Sequence, residues 1–280
     1  QADKIDAHAD FVPFAELFEH RGIARKIYDG AQASTPTYHG SLVAGEYAKK
    51  YPEIVVAFLR AALEADRLIA AEPEKYSELI EKVTGIEAPV NYLFHGPLGL
   101  QTRDFTFKPE YRQALQTSLE TLKLLRRTDT DLAQAAVIDE RYVRAAFKQA
   151  GLNYDAALKH AAKAPLKAND AVTGKPITDT QRLAGLWLQG DAKVRHYASI
   201  EGAIADLKQQ EAAGRPARAV YVHDLILGIK LLAPLAFYAS DAKGQLSAFL
   251  QKDAAQAYAR ANKGRFFDWA GLRAAQLATR

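Results

Sequence analysis

Residues 45–85 read GEYAKKYPEIVVAFLRAALEADRLIAAEPEKYSELIEKVTG, and their punctuation decides how the first half of the chain is built. Pro52 stands where a first helical residue has no N–H bond to lose, and Glu53 adds first-turn negative charge. Ile54, Val55, Phe58, Leu59 and Ala62 then recur at helical spacing, which predicts one long amphipathic helix. Pro73 repeats the start in PEKYSELIEKVTG, and Gly85 supplies the left-handed residue that closes a helix.

The same grammar continues downstream. APVNYLF predicts a short helix, and PEYRQALQTSLETLKLLRR places Leu115, Leu119, Leu122 and Leu125 on one face. LKLLRRTD at 122–129 reads as a helix C-terminus whose cations complement the dipole. IDERYVRAAFKQAGL predicts a further helix ended by Gly151, with Asp139-Glu140 as the acidic pair at its start. Upstream, Ile5, Ala7, Ala9 and Phe11 alternate with polar residues as a strand would, before PFAELFE turns toward helix. IARKIYDGAQ at 23–32 predicts a short extended piece ended by Asp29-Gly30.

From residue 166 the character changes. Residues 166–184 are rich in turn formers and read as a linker or extended arm. AKVRHYASIEGAIADLKQQEAAGRPARAVYVHDL reads strand, helix, strand, and LAFYASDAKGQLSAFLQKDAAQAYARANKGRFFDWAGL reads strand, strand, helix, strand. Two similar units of this kind form an internal pseudo-repeat. The expected organisation is a domain at 1–165, the linker at 166–184, and a small α+β domain at 185–280.

Composition narrows the functional classes. With 280 residues and 49% hydrophobic content the chain buries a substantial core, and its length favours two domains. Lysine and arginine number 37 against 33 acids, a net charge of +4, but the charges are interspersed. Nucleic-acid binding needs basic residues clustered on one face, so that class is not expected. No apolar run reaches the length of a membrane span, and no charged n-region with an apolar h-region opens the chain. Cysteine and methionine are both absent, which removes disulfides, a thiolate nucleophile and soft-sulfur metal sites.

The order KYPE, long helix, EPEKY, second helix resembles the closing half of periplasmic solute-binding proteins of ABC importers, in the nitrate, sulfonate, taurine and thiamine-pyrimidine class. The resemblance covers residues 3 to about 160. It implies an α/β fold, part of a two-lobe type II binding protein. KIDAHADFVPFAELF then looks like the end of the second lobe, and ARKIYDG with PTYHGSLVAG like strands crossing the hinge. It also implies that the family's first lobe is missing ahead of Gln1, either because the sequence is a fragment or because that half has been lost, and that the protein is exported to the periplasm. The implied partners are a small solute and the importer's membrane permease, with no cofactor, no catalysis and no membrane span of its own. The tail, from RHYASIEGAIADL to RFFDW, is similar to NosL-like accessory copper lipoproteins of nitrous oxide reductase. It departs from them where copper chemistry would lie, because Cu(I) is held by soft sulfur ligands.

Candidate ligand-binding residues sit in two places. In DAHAD, Asp6, His8 and Asp10 fall two apart, so in an extended strand all three point to one face. That face is either a cleft wall offering hydrogen bonds to a solute or a set of structural groups satisfying nearby backbone. In PTYHG, Tyr38 and His39 follow Pro36, which presets an extended approach. An aromatic ring beside an imidazole suits stacking on a flat or anionic ligand; the alternative is packing by Tyr38 with His39 at the hinge. His95 in FHGPLGL is expected in a surface loop. His196 and the pair His223-Asp224 fall in the tail, and neighbours on a strand face opposite ways, which separates His223 from Asp224 as base and orienting acid. No nucleophile elbow, phosphate-cradling loop or HExxH motif is present. Two other classes compete with solute binding: a copper chaperone or interaction module working through the tail, and an enzyme of thiamine-pyrimidine synthesis on the binding-protein fold.

Overall fold

The structure is a computed structural model and describes residues 5–9, 12–33, 39–131, 133–160 and 166–275. Its helices are α1 (Phe14–His20), α2 (Gly45–Lys50), α3 (Pro52–Ala71), α4 (Pro73–Thr84), α5 (Ala88–His95), α6 (Pro109–Leu124), α7 (Gln134–Val137), α8 (Glu140–Gln149), α9 (Tyr154–Lys159), α10 (Ile200–Ala212), α11 (Lys252–Ala261) and α12 (Trp269–Ala274). Its strands are β1 (Ala184–Leu188), β2 (Arg195–Tyr197), β3 (Ala217–His223), β4 (Lys230–Leu232), β5 (Phe237–Ser240), β6 (Leu246–Phe249) and β7 (Phe266–Phe267). The chain is thus a mixed α/β protein with two small antiparallel sheets. Among the described residues no helix is long and apolar enough to cross a membrane.

The backbone groups into two units that interleave along the sequence, the first drawing on residues within 1–29, 69–101 and 164–280 and the second on 30–68 and 102–163. This differs from consecutive domains at 1–165 and 185–280: α4 and α5 belong with the sheets.

The second unit is helical. Val143, Phe147 and Tyr154 form its core with Leu59, Leu63, Phe105 and Phe107 around them. Phe147 and Tyr154 meet edge to face at 5.2 Å, and the Tyr154 hydroxyl accepts from Phe107 N at 3.0 Å. Helix starts follow the sequence signals. Asp139 caps α8 by accepting from Arg141 N, and Asn153 caps α9 by accepting from Ala156 N. Lys108 is buried, donating to Ala157 O at 2.6 Å and lying 3.2 Å from Asp104 Oδ2. A buried ammonium needs that pairing.

The first unit carries the repeat that the tail predicts. A four-stranded sheet has the order β2-β1-β3-β4 and a three-stranded sheet the order β6-β5-β7. Each repeat is a hairpin, a helix and a returning strand: β1-β2-α10-β3, then β5-β6-α11-β7. In both, the first strand lies between the second and the third. α10 lays Ile200, Ala203, Ile204 and Leu207 against Leu186, Leu188, Val220 and Val222 on one sheet face. Ser199 caps that helix by accepting from Gly202 N.

The helices α3 and α4 start at Pro52 and Pro73 as read, and Gly85 ends α4 at φ 74°. The strand expected across residues 5–11 is not formed over the described residues 5–9, and residues 23–29 form no strand either. Among the described residues none before Asn169 pairs in a β bridge. A strand needs a neighbour's backbone, and here Ile23 N and Ala24 N donate instead to Phe18 O behind α1. Alternation alone does not supply that neighbour. Residues 166–183 are not an open arm: Asp170, Ile177 and Leu183 are buried.

Candidate functional site

The four-stranded sheet has a second face, and its register sets the side chains there. Gly185 on β1 lies opposite His196 on β2 and Tyr221 on β3. His223 lies opposite Lys230, and Tyr221 opposite Leu232. Because side chains alternate along a strand, these residues share the face turned away from α10. α5 covers it, with Ala88, Tyr92 and Leu93 packed on Trp187, Val194, Ala219, Tyr221 and Leu232. Gly185 keeps the centre open: a Cβ there would sit 3.1 Å from Val194 Cγ1. What remains is a cavity of about 10 Å³ lined by Tyr92, Gly185, His196, Tyr221, His223 and Lys230 among others.

Polar groups enter a lining that Pro97, Leu183, Ala184 and Val194 make largely apolar. Lys230 is only 3% exposed, and its Nζ lies 4.7 Å from the Tyr92 ring centroid and 5.7 Å from that of Tyr221. Both ring faces stabilise the ammonium. His196 Nε2 is 3.4 Å from the Tyr92 hydroxyl. Burial, reinforced by the Lys230 charge and opposed by Glu74, lowers the His196 pKa to about 4, so its ring is neutral at neutral pH. His223 Nδ1 lies 3.2 Å from Leu183 O; a carbonyl only accepts, so Nδ1 donates. Burial raises the Tyr92 and Tyr221 hydroxyls well above the usual tyrosine range, and Tyr221 donates to Pro89 O at 3.0 Å. Glu74 on α4 is committed elsewhere, accepting from Val194 N at 3.1 Å and pairing with Lys193 Nζ at 3.2 Å.

The copper implied by the tail's resemblance does not fit this lining. The chain has no cysteine or methionine, and the ammonium of Lys230 lines the same cavity as both imidazoles. A cation entering there meets like charge. Among the described residues no group of three or more His, Asp or Glu is arranged to hold a metal ion.

The residues chosen from sequence lie elsewhere. Asp6 and His8 are exposed on an irregular segment, not side by side on a strand, and the His8 ring is 6.1 Å from that of Phe18. His39 is exposed and irregular as well. Asp10 and Tyr38 lie outside the described residues. His95 is not in a loop but is the last, half-buried residue of α5. His223 and Asp224 do part company: Asp224 turns to accept from Ile226 N, Leu227 N and Leu250 N. Sequence reasoning missed Tyr92, Glu74 and Lys230. The one signal for Lys230 is a charge inside an apolar run, Ile229-Lys230-Leu231-Leu232, since lysine enters a core only when it is satisfied there.

No family model and no curated protein matches the chain. Among solved structures, the copper chaperone NosL from Shewanella denitrificans is similar over 42% of this chain and 98% of that one, at 21% identity and a TM-score of 0.36.

Proposed function

We propose that this protein is the substrate-binding component of an ABC importer, built on a two-lobe type II fold, exported to the periplasm and working without catalysis. The single observation that supports the reading is the tandem of proline-started helices. α3 opens at Pro52, α4 opens at Pro73, and Gly85 ends the pair in the left-handed conformation, so the punctuation on which the resemblance rests is used as such. In this reading Asp6, His8, Asp10, Tyr38 and His39 contact a nitrate, sulfonate, taurine or pyrimidine-like solute. Lobe closure exchanges solvent for contacts with that solute, and a membrane permease receives it.

The test is thermal unfolding of the full-length protein across nitrate, bicarbonate, alkyl sulfonates and pyrimidines. One solute is expected to raise the melting temperature, with the logarithmic dependence on its concentration that mass action requires of a ligand that binds only the folded state. A flat response to the whole panel overturns the reading.

A further inference from the structure

We propose that the outward face of α3 is the contact through which two copies of this chain pair, the two α3 helices lying antiparallel about a twofold axis at Ala61. That face carries none of the residues assigned to the imported solute, so the pairing goes beyond that reading and does not rest on it.

α3 is apolar on two sides, whereas a surface helix on a single core needs one apolar stripe. One side faces inward: Val55 and Val56 are buried, and Leu59 and Leu63 pack on the core of the second unit. The other is a seam of Ile54, Phe58, Ala61, Ala65 and Leu68, whose steps of four, three, four and three are the repeat by which two helices pack side by side. It meets solvent: Ile54 is 48% and Phe58 57% exposed, and Ala61 and Ala65 are exposed as well. Tyr51 continues the seam toward α2, where the Tyr47 ring lies 5.1 Å from its own and is half exposed. A contiguous apolar strip of this kind on a surface marks an interaction site.

Shape and charge both select a second copy as the occupant. A twofold axis at Ala61 sets each Ile54 level with the partner's Leu68 and each Phe58 ring against the small side chain of the partner's Ala65. A parallel pair would instead stack Phe58 on Phe58 and leave Ala65 facing Ala65, a gap that close packing disfavours. Arg60 and Glu64 lie four residues apart along one edge of the seam. At a rise of about 1.5 Å per residue, the antiparallel arrangement brings each Glu64 to within about 3 Å, along the axis, of the partner's Arg60. Arg60 now donates to the neutral amide oxygen of Gln149 at 3.3 Å, and a carboxylate is the stronger acceptor. Glu64 also holds Arg67 in an exposed pair, and its two oxygens can accept from both guanidinium groups. The seam is about 21 Å long on helices about 10 Å across, small against the roughly 1,200 Å² that stable complexes bury, so the dimer is expected to be reversible, with a dissociation constant in the micromolar range.

Sedimentation velocity of the full-length protein, from a few to several hundred micromolar, is expected to show a monomer that converts to a dimer. Phe58→Glu raises the dissociation constant at least about tenfold, as loss of a central aromatic anchor does, and leaves the melting temperature of dilute protein unchanged because the ring is exposed. Glu64→Arg weakens the dimer, and adding Arg60→Glu to it restores pairing, which a general loss of folding would not do. The chain has no cysteine, so single substitutions report the axis: Ala61→Cys links into a covalent dimer under mild oxidation and Ala65→Cys does not. The proposal is overturned by a monomer throughout the concentration series, which leaves the face to a different protein, by a dimer that Phe58→Glu leaves intact, or by equal cross-linking of Ala61→Cys and Ala65→Cys. None of these outcomes bears on the solute panel, which is read on dilute protein.

Discussion

Asp170 and Asp224 occupy equivalent places in the two repeats and make the same bonds. Asp170 Oδ1 accepts from Val172 N at 3.1 Å and Thr173 N at 2.7 Å, and Oδ2 accepts from Ala198 N at 2.7 Å, next to the cap of α10. Asp224 Oδ1 accepts from Ile226 N at 2.8 Å and Leu227 N at 2.6 Å, and Oδ2 accepts from Leu250 N at 2.6 Å, next to the start of α11. Each turn closes on a glycine of positive φ, Gly174 and Gly228. One carboxylate thus folds its own turn and clamps the chain entering the helix of its repeat.

Asp224→Ala strands three backbone donors, of which Leu250 N, just after β6, is buried and Ile226 N and Leu227 N are partly buried. The expected loss is about 2 kcal/mol, since a buried donor left without an acceptor costs on the order of 1–3 kcal/mol and a partly exposed one less. Urea unfolding followed by tryptophan emission measures it, because Trp187 and Trp269 both belong to the first unit. A loss under about 1 kcal/mol would show that solvent replaces the clamp.

Stability of the first unit is expected to fall as pH drops from 6.5 toward 4. Folded His196 titrates near 4, whereas the unfolded side chain titrates near its ordinary 6.5. Between those values the unfolded chain binds a proton that the folded one does not, so acidification favours unfolding. The slope is about 1.4 kcal/mol per pH unit and the total roughly 3 kcal/mol. His20, lowered chiefly by burial, has the same sign. The measurement is therefore the difference between wild type and His196→Gln in urea midpoint at pH 7.5, 6 and 5. Parallel curves for the two proteins would refute the assignment.

Legibility in the sequence followed the range of the interactions. Helix starts at Pro52, Pro73 and Pro109 and the stop at Gly85 depend on residues within a turn of one another, and they stand where the sequence puts them. The repeat was legible for the same reason, through local alternation. β1 was not, because AGLWL is buried along its whole length and has no alternation to read. The cavity was illegible for a different cause. Tyr92 comes from a helix far upstream, His196 and Lys230 from two strands that are not neighbours, and only the sheet order brings them together.

Glu201 gives a prediction of opposite sign to that of His196. The residue is 8% exposed; its Oε1 accepts from Leu246 N at 2.5 Å, and its Oε2 has no partner among the described residues. Burial raises its carboxyl pKa more strongly than the Leu246 bond lowers it. A raised folded value means that stability is fully present below the unfolded pKa of 4.5 and is lost as pH rises through the folded one. Glu201→Gln keeps the acceptor and removes the charge. It is expected to stabilise the protein at pH 8 and to leave its stability unchanged at pH 4. A constant offset at both pH values would assign the effect to packing.

The last prediction concerns how α4 and α5 are held over the sheet. Glu74 stands in the first turn of α4, where an acid complements the helix dipole, yet it is 4% exposed and its Oε1 is the acceptor for Val194 N at the start of β2. Its other oxygen faces Lys193, whose side chain is 61% exposed, so that pair contributes little. The backbone bond is the part that matters. Glu74→Ala leaves the buried Val194 N–H without an acceptor, at an expected cost of about 2 kcal/mol. Glu74→Gln, which retains an amide oxygen at that place, costs under about 1 kcal/mol. Hydrogen exchange separates this from a general loss of stability: the Val194 amide should lose protection in Glu74→Ala well before the amides of β3. Uniform loss across both strands would mean that α4 docks through its apolar contacts and that Glu74 merely satisfies a donor.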